Sequence, residues 1–271
     1  MAYKSYAIPP LSAHTHTVIF LHGYNTNASL SASDFSMKRA SDGRFLCQIF
    51  PMIKWVFPES KFRYSTIFRK PVQQWFDIWS SQHPHQQQRL QREGLLESVQ
   101  ETLAVVRAEA SIVPLRHIFL GGLDQGCATA IFSLLCSRVR LGGFIGYTGW
   151  LPFQSKVEGV KYKVDCQYMD IDADGIPAII GGNHRLSLED MCGSEYSKAS
   201  MLLQRIFLAH SENDVNVPVE NGRNVYRAMR SLEFPVTFKT YVNGHHHWIH
   251  EPQVVDDVVK YLNLEMIPDP C

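Results

Sequence analysis

Short apolar runs without polar alternation recur along the chain and predict strands that are buried on both faces. The predicted strands are 17–21, 55–57, 117–120, 143–147, 206–210 and 236–241. Apolar residues at helical spacing predict helices over 90–110, 128–135, 219–232 and 253–264. Strands that alternate with helices are typical of βαβ units with right-handed crossovers, so we expect an α/β fold with a mainly parallel, doubly wound sheet.

One stretch, 151–204, breaks this rhythm. It contains Pro152, Pro177 and the pair Gly181-Gly182, and it has no clear period. In an open α/β sheet, a long insertion after the carboxyl end of a strand usually lies over the functional site. We therefore expect 1–271 to form a single domain, with 151–204 as an irregular, lid-like insertion rather than a second domain.

Composition narrows the class of protein. Of the 271 residues, 45% are hydrophobic and 19% are charged, which is typical of a globular protein. The 26 basic and 26 acidic residues give no net charge, which argues against nucleic acid as a partner. No apolar run approaches the roughly 18 residues of a membrane span, and the first residues lack the apolar core of a signal peptide.

The cysteines favour a reducing compartment. They are scattered and form no C-x-x-C pair, so we interpret them as free thiols and expect the protein in the cytoplasm. The six are Cys47, Cys127, Cys136, Cys166, Cys192 and Cys271.

The most informative segment is HIFLGGLDQGCATA, residues 117–130. It predicts a strand, a tight turn and a helix, with Asp124 flanked by Gly122 and Gly126. This is the form of a nucleophile elbow, in which glycines two residues before and after the central residue let the strand and helix backbones approach closely. The alternative is an ordinary glycine turn in which Asp124 is solvated or caps the helix.

Two further signals follow in the chain. Asp214 lies in a loop after the predicted strand 206–210, and the alternative is that it caps the next helix. His245, His246 and His247 follow the strand 236–241. Elbow, acid and histidine is the chain order of the α/β-hydrolase triad.

The turn after the first predicted strand supplies a fourth signal. His22-Gly23-Tyr24 can direct a backbone N–H at the space above the elbow. Together with the N–H of Gln125 it would form an oxyanion hole, the pair of donors that stabilises a negatively charged oxygen during acyl transfer.

Other residues have simpler interpretations. Adjacent histidines on an irregular loop point in different directions, and no carboxylate or cysteine cluster matches them, so we expect no metal and no cofactor. Trp75, Phe76 and Trp79 lie at helical spacing, which suits a core stripe at least as well as a pocket wall.

The chain resembles the fungal branch of the phospholipase/carboxylesterase family, which includes relatives of acyl-protein thioesterases. The resemblance covers most of the chain. The segments that carry it are VIFLHG (18–23), SDGR (41–44), IFPMIKWVFP (49–58), QWFDIWS (74–80), GCATA (126–130), LGGFIGYTGWLPF (141–153), DVNVP (214–218) and GHHHW (244–248).

The resemblance implies an α/β-hydrolase fold and a small-molecule or acyl-chain substrate. It assigns the triad acid to Asp214 and the base to His247. It also places the backbone N–H groups of Tyr24 and Gln125 at the oxyanion hole. The substrate-binding residues that it suggests for an acyl pocket are Trp79, Trp150 and Leu151.

The chain departs from the family at the elbow, where the family carries serine and this sequence has Asp124. Residues 154–204 also look longer than the matching segment of simple family members, so the family's substrate pocket does not transfer to this chain.

Three alternatives remain open for Asp124. In the first, it replaces a catalytic serine, as a natural or engineered variant, and the parent activity is ester or thioester hydrolysis. In the second, its carboxylate attacks an sp³ carbon such as that of an epoxide, and His247 with Asp214 then activates water to hydrolyse the alkyl ester. In the third, an ion pair between Asp124 and His247 removes the base, and the protein is a non-catalytic binder.

Overall fold

The computed structural model describes residues 4–159, 163–165, 168–170, 175–183, 186–191, 201–242 and 251–267. The strands are β1 (Ser5–Ile8), β2 (His16–Leu21), β3 (Ile53–Pro58), β4 (Phe62–Ser65), β5 (Lys70–Gln73), β6 (Ile118–Leu123), β7 (Gly143–Tyr147), β8 (Lys163–Asp165), β9 (Tyr168–Asp170), β10 (Ile206–Ser211) and β11 (Val236–Tyr241). The α-helices are α1 (Ala28–Ser36), α2 (Leu46–Ile49), α3 (Arg92–Ala110), α4 (Gln125–Ser137), α5 (Gln154–Gly159), α6 (Gly175–Ile179), α7 (Val219–Ser231) and α8 (Gln253–Glu265). Short 3-10 helices lie at Gln88–Leu90, Leu115–His117 and Glu189–Met191.

A seven-stranded sheet forms the centre of the molecule, in the order β1-β3-β2-β6-β7-β10-β11. Its neighbouring strands pair in parallel except β1, which runs antiparallel to β3 at one edge. The expectation of a mainly parallel sheet is therefore confirmed. Because the strands are parallel, the loops at their carboxyl ends meet along one edge of the sheet.

Helices cover both faces of the sheet, and successive strand residues point to opposite layers. On β2, Ile19 packs with the layer that contains α3, α4 and α7, whereas Phe20 packs with the layer of α1, α2 and α8. Both side chains are almost fully buried. A strand with two buried faces needs apolar residues at every position, which explains the continuous apolar runs in the sequence.

The predicted helical spacing of Trp75, Phe76 and Trp79 does not produce a helix. Residues 74–80 instead form an irregular segment after β5. Trp75 and Phe76 belong to the core, and Trp79 is 52% exposed. The segment makes hydrogen bonds to the elbow region, described below, and these contacts decide its conformation in place of local helix formation.

The described part of the predicted lid-like insertion includes residues that pack in the layer of α3 and α4. Ile176 and Leu188 are buried in the same core as α3 and α4. Leu188 N–H donates to the carbonyl of Ser137, the last residue of α4, at 2.9 Å. Since α4 rises about 1.5 Å per residue from its start beside Asp124, this contact lies about 18 Å along the helix from the elbow. Among the helices of the described ranges, none combines the length and apolar character needed to cross a bilayer.

Candidate active site

Asp124 occupies a tight turn between β6 and α4. Its φ of 53° and ψ of −120° are a conformation that residues with a side chain rarely adopt. The Asp124 N–H donates to the carbonyl of Tyr147 at 2.9 Å, and its own carbonyl accepts from Ala128 at 3.1 Å. The side chain is 5% exposed and makes no capping bond to the helix. The predicted strand, turn and helix are therefore present, and neither a solvated nor a capping aspartate describes this residue.

Two glycines make the turn possible. A Cβ at Gly122 would lie 2.6 Å from the carbonyl carbon of Gly126. A Cβ at Gly126 would lie 2.3 Å from the carbonyl oxygen of Leu21 and 2.4 Å from that of His22. Real Cβ atoms do not approach other atoms this closely. Strand β6, helix α4 and the end of β2 therefore touch backbone to backbone around Asp124, as the sequence predicted.

The loop after β2 reaches the aspartate directly. Tyr24 N–H donates to Oδ2 of Asp124 at 2.9 Å. The preceding residue, Gly23, lies against the same carboxylate, since a Cβ built there would be 3.4 Å from Oδ2. One of the two predicted oxyanion-hole donors is thus directed at the side chain on the elbow, and in this structure Asp124 itself accepts its hydrogen.

His22 holds that loop in place. Its Nε2 accepts a hydrogen from the backbone N–H of Ser60 at 3.1 Å, so Nδ1 carries the ring proton and donates to the carbonyl of Gly23 at 2.8 Å. The indole N–H of Trp75 donates to the carbonyl of His22 at 2.7 Å. Burial lowers the pKa of His22 below its ordinary 6.5, which keeps the imidazole neutral as this bonding pattern requires.

The side chain of Gln125 connects the elbow to the irregular segment after β5. Its Oε1 accepts from Trp75 N–H at 2.7 Å, and its Nε2 donates to the carbonyl of Phe76 at 2.6 Å. The residue is fully buried. The sequence analysis considered only the backbone N–H of Gln125 and did not predict these two side-chain hydrogen bonds. The signal was present, because a buried amide directly after the elbow needs polar partners on an adjacent segment.

Tyr24 is anchored through its ring. The phenol shares a 2.5 Å hydrogen bond with the hydroxyl of Ser65 on β4, and the ring stacks on Phe68 with centroids 5.6 Å apart. Burial raises the pKa of the Tyr24 phenol. The hairpin of β4 and β5 therefore fixes the position of the Tyr24 backbone, a role that the sequence analysis did not anticipate.

Asp214 follows β10 on the same edge of the sheet. It is 6% exposed, and its Oδ1 accepts from the backbone N–H groups of Asn216 at 2.8 Å and Val217 at 2.9 Å. Helix α7 begins after Pro218 and has no side-chain cap, so Asp214 does not cap it. These two hydrogen bonds to Oδ1 tie the carboxylate to its own loop and so fix the position of the acid.

The predicted base, His247, lies outside the described residues. Strand β11 pairs in parallel with β10, with Tyr241 opposite Ser211, so the chain leaves β11 toward His247 beside the start of the loop of Asp214. Among the described residues, no three His, Cys, Asp or Glu side chains are grouped to hold a metal ion. The histidines considered for a metal in the sequence, 245–247 and 250, fall outside those ranges.

The three residues suggested for an acyl pocket differ in their exposure to solvent. Trp150 and Leu151 have no exposed surface and belong to the core on the α4 side of the sheet. The Trp150 ring meets Phe76 edge to face, with centroids 6.1 Å apart. Trp79 is half exposed. Their role in binding an acyl chain stays a prediction.

The fold agrees with a comparison of the sequence to protein families. The model of the phospholipase/carboxylesterase family matches residues 4–174. The chain belongs to this family. It is 31% identical over 157 residues to acyl-protein thioesterase 1 of Yarrowia lipolytica, covering 57% of this chain and 66% of that protein. It is 32% identical over 168 residues to acyl-protein thioesterase 1 of Schizosaccharomyces pombe, covering 59% of this chain and 67% of that protein.

Solved structures of family members share the fold. The crystal structure of Zea mays acyl-protein thioesterase 2 superposes with a TM-score of 0.67, covering 97% of this chain and 99% of that one, at 21% sequence identity. This agreement extends the α/β-hydrolase fold beyond the residues that the family model matches. The matched regions in the two fungal relatives span about two thirds of their lengths.

We predict that Gly126→Ala destabilises the protein by more than about 2 kcal/mol, because the new Cβ meets two backbone carbonyls that cannot move independently of β2. Chemical denaturation measures the change. Gly159→Ala is the matched control, since a Cβ there has nothing within 4 Å. It should shift the free energy of unfolding by no more than about 0.5 kcal/mol. Equal effects of the two substitutions would contradict the close approach at the elbow.

We predict that His22, which holds the loop of Tyr24, makes the free energy of unfolding depend on pH. The folded-state pKa of His22 lies below 6.5, so protons bind the unfolded chain more readily. Its contribution to stability is complete above pH 6.5 and is lost as pH falls toward the folded-state pKa. His22→Gln should therefore reduce the slope of unfolding free energy against pH below 6.5, by up to about 1.4 kcal/mol per pH unit.

Urea denaturation over a pH series measures this slope. His83→Gln is the control, because it removes an exposed histidine and leaves His22 in place. An unchanged slope in His22→Gln would show that His22 does not hold the loop as a neutral, buried imidazole.

Proposed function

We propose that this protein is a hydrolase of the carboxylesterase or acyl thioesterase type in which Asp124 stands in place of the reacting serine. The observation that carries the proposal is the 2.9 Å hydrogen bond from Tyr24 N–H to the Asp124 carboxylate. It means that a backbone donor is directed at the side chain on a strained strand-to-helix turn. In acyl transfer, a donor beside the reacting atom stabilises the oxygen on which negative charge develops.

In this proposal the remaining roles follow the family. His247 removes a proton from the attacking group, and Asp214 orients the imidazole and stabilises its positive charge. The N–H groups of Tyr24 and Gln125 stabilise the oxyanion. The two fungal relatives are named acyl-protein thioesterase 1, which favours a thioester or ester of an acyl chain as substrate. Trp79, Trp150 and Leu151 remain the candidates for contact with the chain.

Asp124 alters this chemistry in two ways. Its carboxylate already accepts from Tyr24 N–H, so a substrate carbonyl oxygen must compete for that donor. Attack of a carboxylate on an acyl carbon would also give a mixed anhydride, which is a poor intermediate for ester hydrolysis. Ester hydrolysis by this site therefore depends on a hydroxyl at position 124.

We expect Asp124→Ser to hydrolyse short p-nitrophenyl esters at a rate at least about a hundredfold above the wild type, because the hydroxyl supplies a nucleophile that the base can activate. Release of p-nitrophenol measures the rate. Asp124→Asn is the matched control, since it removes the charge without adding a nucleophile, and it should stay at background. Adding Asp214→Asn to Asp124→Ser should lower the activity again. A folded, inactive Asp124→Ser protein would contradict the proposal.

A second candidate function is favoured by the position of one oxygen. Tyr24 N–H donates to Oδ2 of Asp124, so a backbone donor is in place for negative charge that develops on this oxygen. In this candidate, Oδ1 attacks an sp³ carbon of an epoxide and the carbon–oxygen bond of the ring breaks. The released alkoxide then takes a proton from water or an acidic side chain. The product is an alkyl ester of Asp124.

Water completes the reaction. His247 takes a proton from water, and the resulting hydroxide attacks Cγ of Asp124. Negative charge develops on Oδ2, where the Tyr24 N–H stabilises it. The bond from Cγ to Oδ1 breaks, and the imidazolium of His247 returns its proton to Oδ1. The diol leaves with Oδ1, the oxygen from water stays in Asp124, and the new carboxyl group loses its proton to solvent.

The test is a single turnover of an aliphatic epoxide by the wild-type chain in heavy-oxygen water. We expect mass spectrometry of the peptide that contains Asp124 to show one heavy oxygen, and none in Asp124→Asn. Incubation without epoxide controls for exchange. Absence of both turnover and label across short-chain and aryl epoxides would exclude the covalent reaction, whatever the outcome for Asp124→Ser.

A further inference from the structure

Asp77 lies in the irregular segment after β5, and its carboxylate holds the turn of the β4–β5 hairpin. Its Oδ1 accepts from Thr66 N–H at 2.9 Å and from Ile78 N–H at 3.0 Å. Its Oδ2 accepts from the Thr66 hydroxyl at 2.6 Å. Thr66 is therefore bonded to one carboxylate through both its backbone and its side chain, which ties the turn to the segment 74–80.

The same turn supplies two side-chain partners of Tyr24. Ser65 directly precedes Thr66 and shares a hydrogen bond with the Tyr24 phenol. Phe68 follows two residues after Thr66, and its ring stacks on that of Tyr24. Ser65 is fully buried, and its Oγ also accepts from Phe68 N–H at 3.0 Å. The two contacts to the Tyr24 ring thus belong to one unit, and Asp77 fixes the position of that unit.

The Tyr24 backbone lies between two residues that other contacts hold. His22 donates to the carbonyl of Gly23, and Asn25 N–H donates to the carbonyl of Gln73 at 3.1 Å. Neither contact uses the Tyr24 side chain. The hairpin turn is what holds the ring, so a shift of the turn would move the ring and rotate the Tyr24 N–H away from the elbow.

We propose that Asp77 is a positioning residue, which acts through the hairpin turn and the Tyr24 ring to keep the Tyr24 N–H directed at the side chain on the elbow. An oxyanion donor is effective because it is already in place when charge develops, and it must be held within about 0.5 Å of its productive position. The inference rests on the proposed function, in which this N–H stabilises the oxyanion.

The first measurement is hydrogen exchange of the Tyr24 amide in the wild-type chain, because the bond to Asp124 protects this N–H. We expect Asp77→Ala to raise the exchange rate by about tenfold or more, since the hydrogen bonds that hold the turn are lost. Asp77→Asn should stay within about threefold of the wild type, because an amide oxygen can accept from the same two backbone N–H groups. Residue-resolved NMR measures the rates, and an unchanged rate in a folded Asp77→Ala chain would overturn the proposal.

Asp42→Ala is the matched control. Asp42 also accepts a backbone N–H in a turn, that of Arg44 at 2.9 Å, but its turn is bonded to α8, where Ser41 N–H donates to Asp256 at 2.9 Å. The exchange rate at Tyr24 should equal that of the wild type. Equal increases in the Asp77 and Asp42 variants would mean a general loosening of the fold and would overturn the proposal.

A double-mutant cycle with Tyr24→Ala tests the route. This substitution removes the ring and keeps the backbone N–H at position 24, so adding Asp77→Ala should change the exchange of that amide by less than about twofold. An undiminished effect of Asp77→Ala in this background would overturn the proposal, because it would show that Asp77 does not act through the ring.

Thr66→Val keeps the inference testable if Asp77→Ala does not fold. The substitution removes only the hydroxyl that donates to Oδ2 of Asp77, and it should raise the exchange rate at Tyr24 by about threefold. An unchanged rate in this variant would overturn the proposal.

The second measurement uses the Asp124→Ser chain, in which the Tyr24 N–H would act on an oxyanion. Adding Asp77→Ala should lower kcat for a p-nitrophenyl ester by about tenfold or more and change KM by less than about twofold, because the donor contributes mainly in the transition state. Adding Asp77→Asn instead should retain most of kcat. An unchanged kcat in an active Asp77→Ala chain would overturn the proposal. A folded but inactive Asp124→Ser chain would contradict the proposed function alone, since the exchange of the wild-type amide decides the role of Asp77 separately.

Discussion

The backbone conformation of Asp124 is the constraint on which the rest of the site depends. A residue with a side chain in such a region costs on the order of 1–3 kcal/mol, so the surroundings must hold it there. They do so through backbone contacts: the close approach at Gly122 and Gly126, and the bond from Asp124 N–H to Tyr147. None of these contacts uses the side chain at position 124. These contacts therefore hold the turn without the carboxylate, and the chemistry of the side chain at position 124 is separable from the fold.

The hydrogen bond between Tyr24 and Asp124 distinguishes a carboxylate from a hydroxyl at the elbow. A serine has one oxygen, which must leave the donor free for the substrate until charge develops on the substrate. A carboxylate has two oxygens, and in this structure Oδ2 accepts from Tyr24 N–H at rest. Only interactions that strengthen in the transition state accelerate a reaction. In the proposed reactions the same donor would stabilise the oxyanion of acyl transfer with serine, and that of aspartyl-ester hydrolysis with Asp124.

The central strands and long helices could be predicted because their apolar patterns reflect burial on both faces of a sheet. Strands β7 and β11 match their predicted bounds, and the glycines around Asp124 disclosed the elbow. The edge strand β1 and the β4–β5 hairpin were missed because exposed strands lack a continuous apolar run. Residues 74–80 were misjudged for another reason: their conformation depends on hydrogen bonds to Gln125, which is distant in sequence. Local spacing contains no information about such partners.

The two edges of the parallel sheet, where its strands end and where they begin, carry different chemical groups. Backbone N–H groups and carboxylates converge where strands end, because the loops there are anchored by His22, Gln125 and Asp214. Arginines lie where three of the central strands begin: Arg116 before β6, Arg140 before β7 and Arg205 before β10. The two edges share β2, β6, β7 and β10, but the residues at one edge do not reach the other. A substitution at the basic edge would therefore reach the elbow only through displacement of the strands themselves.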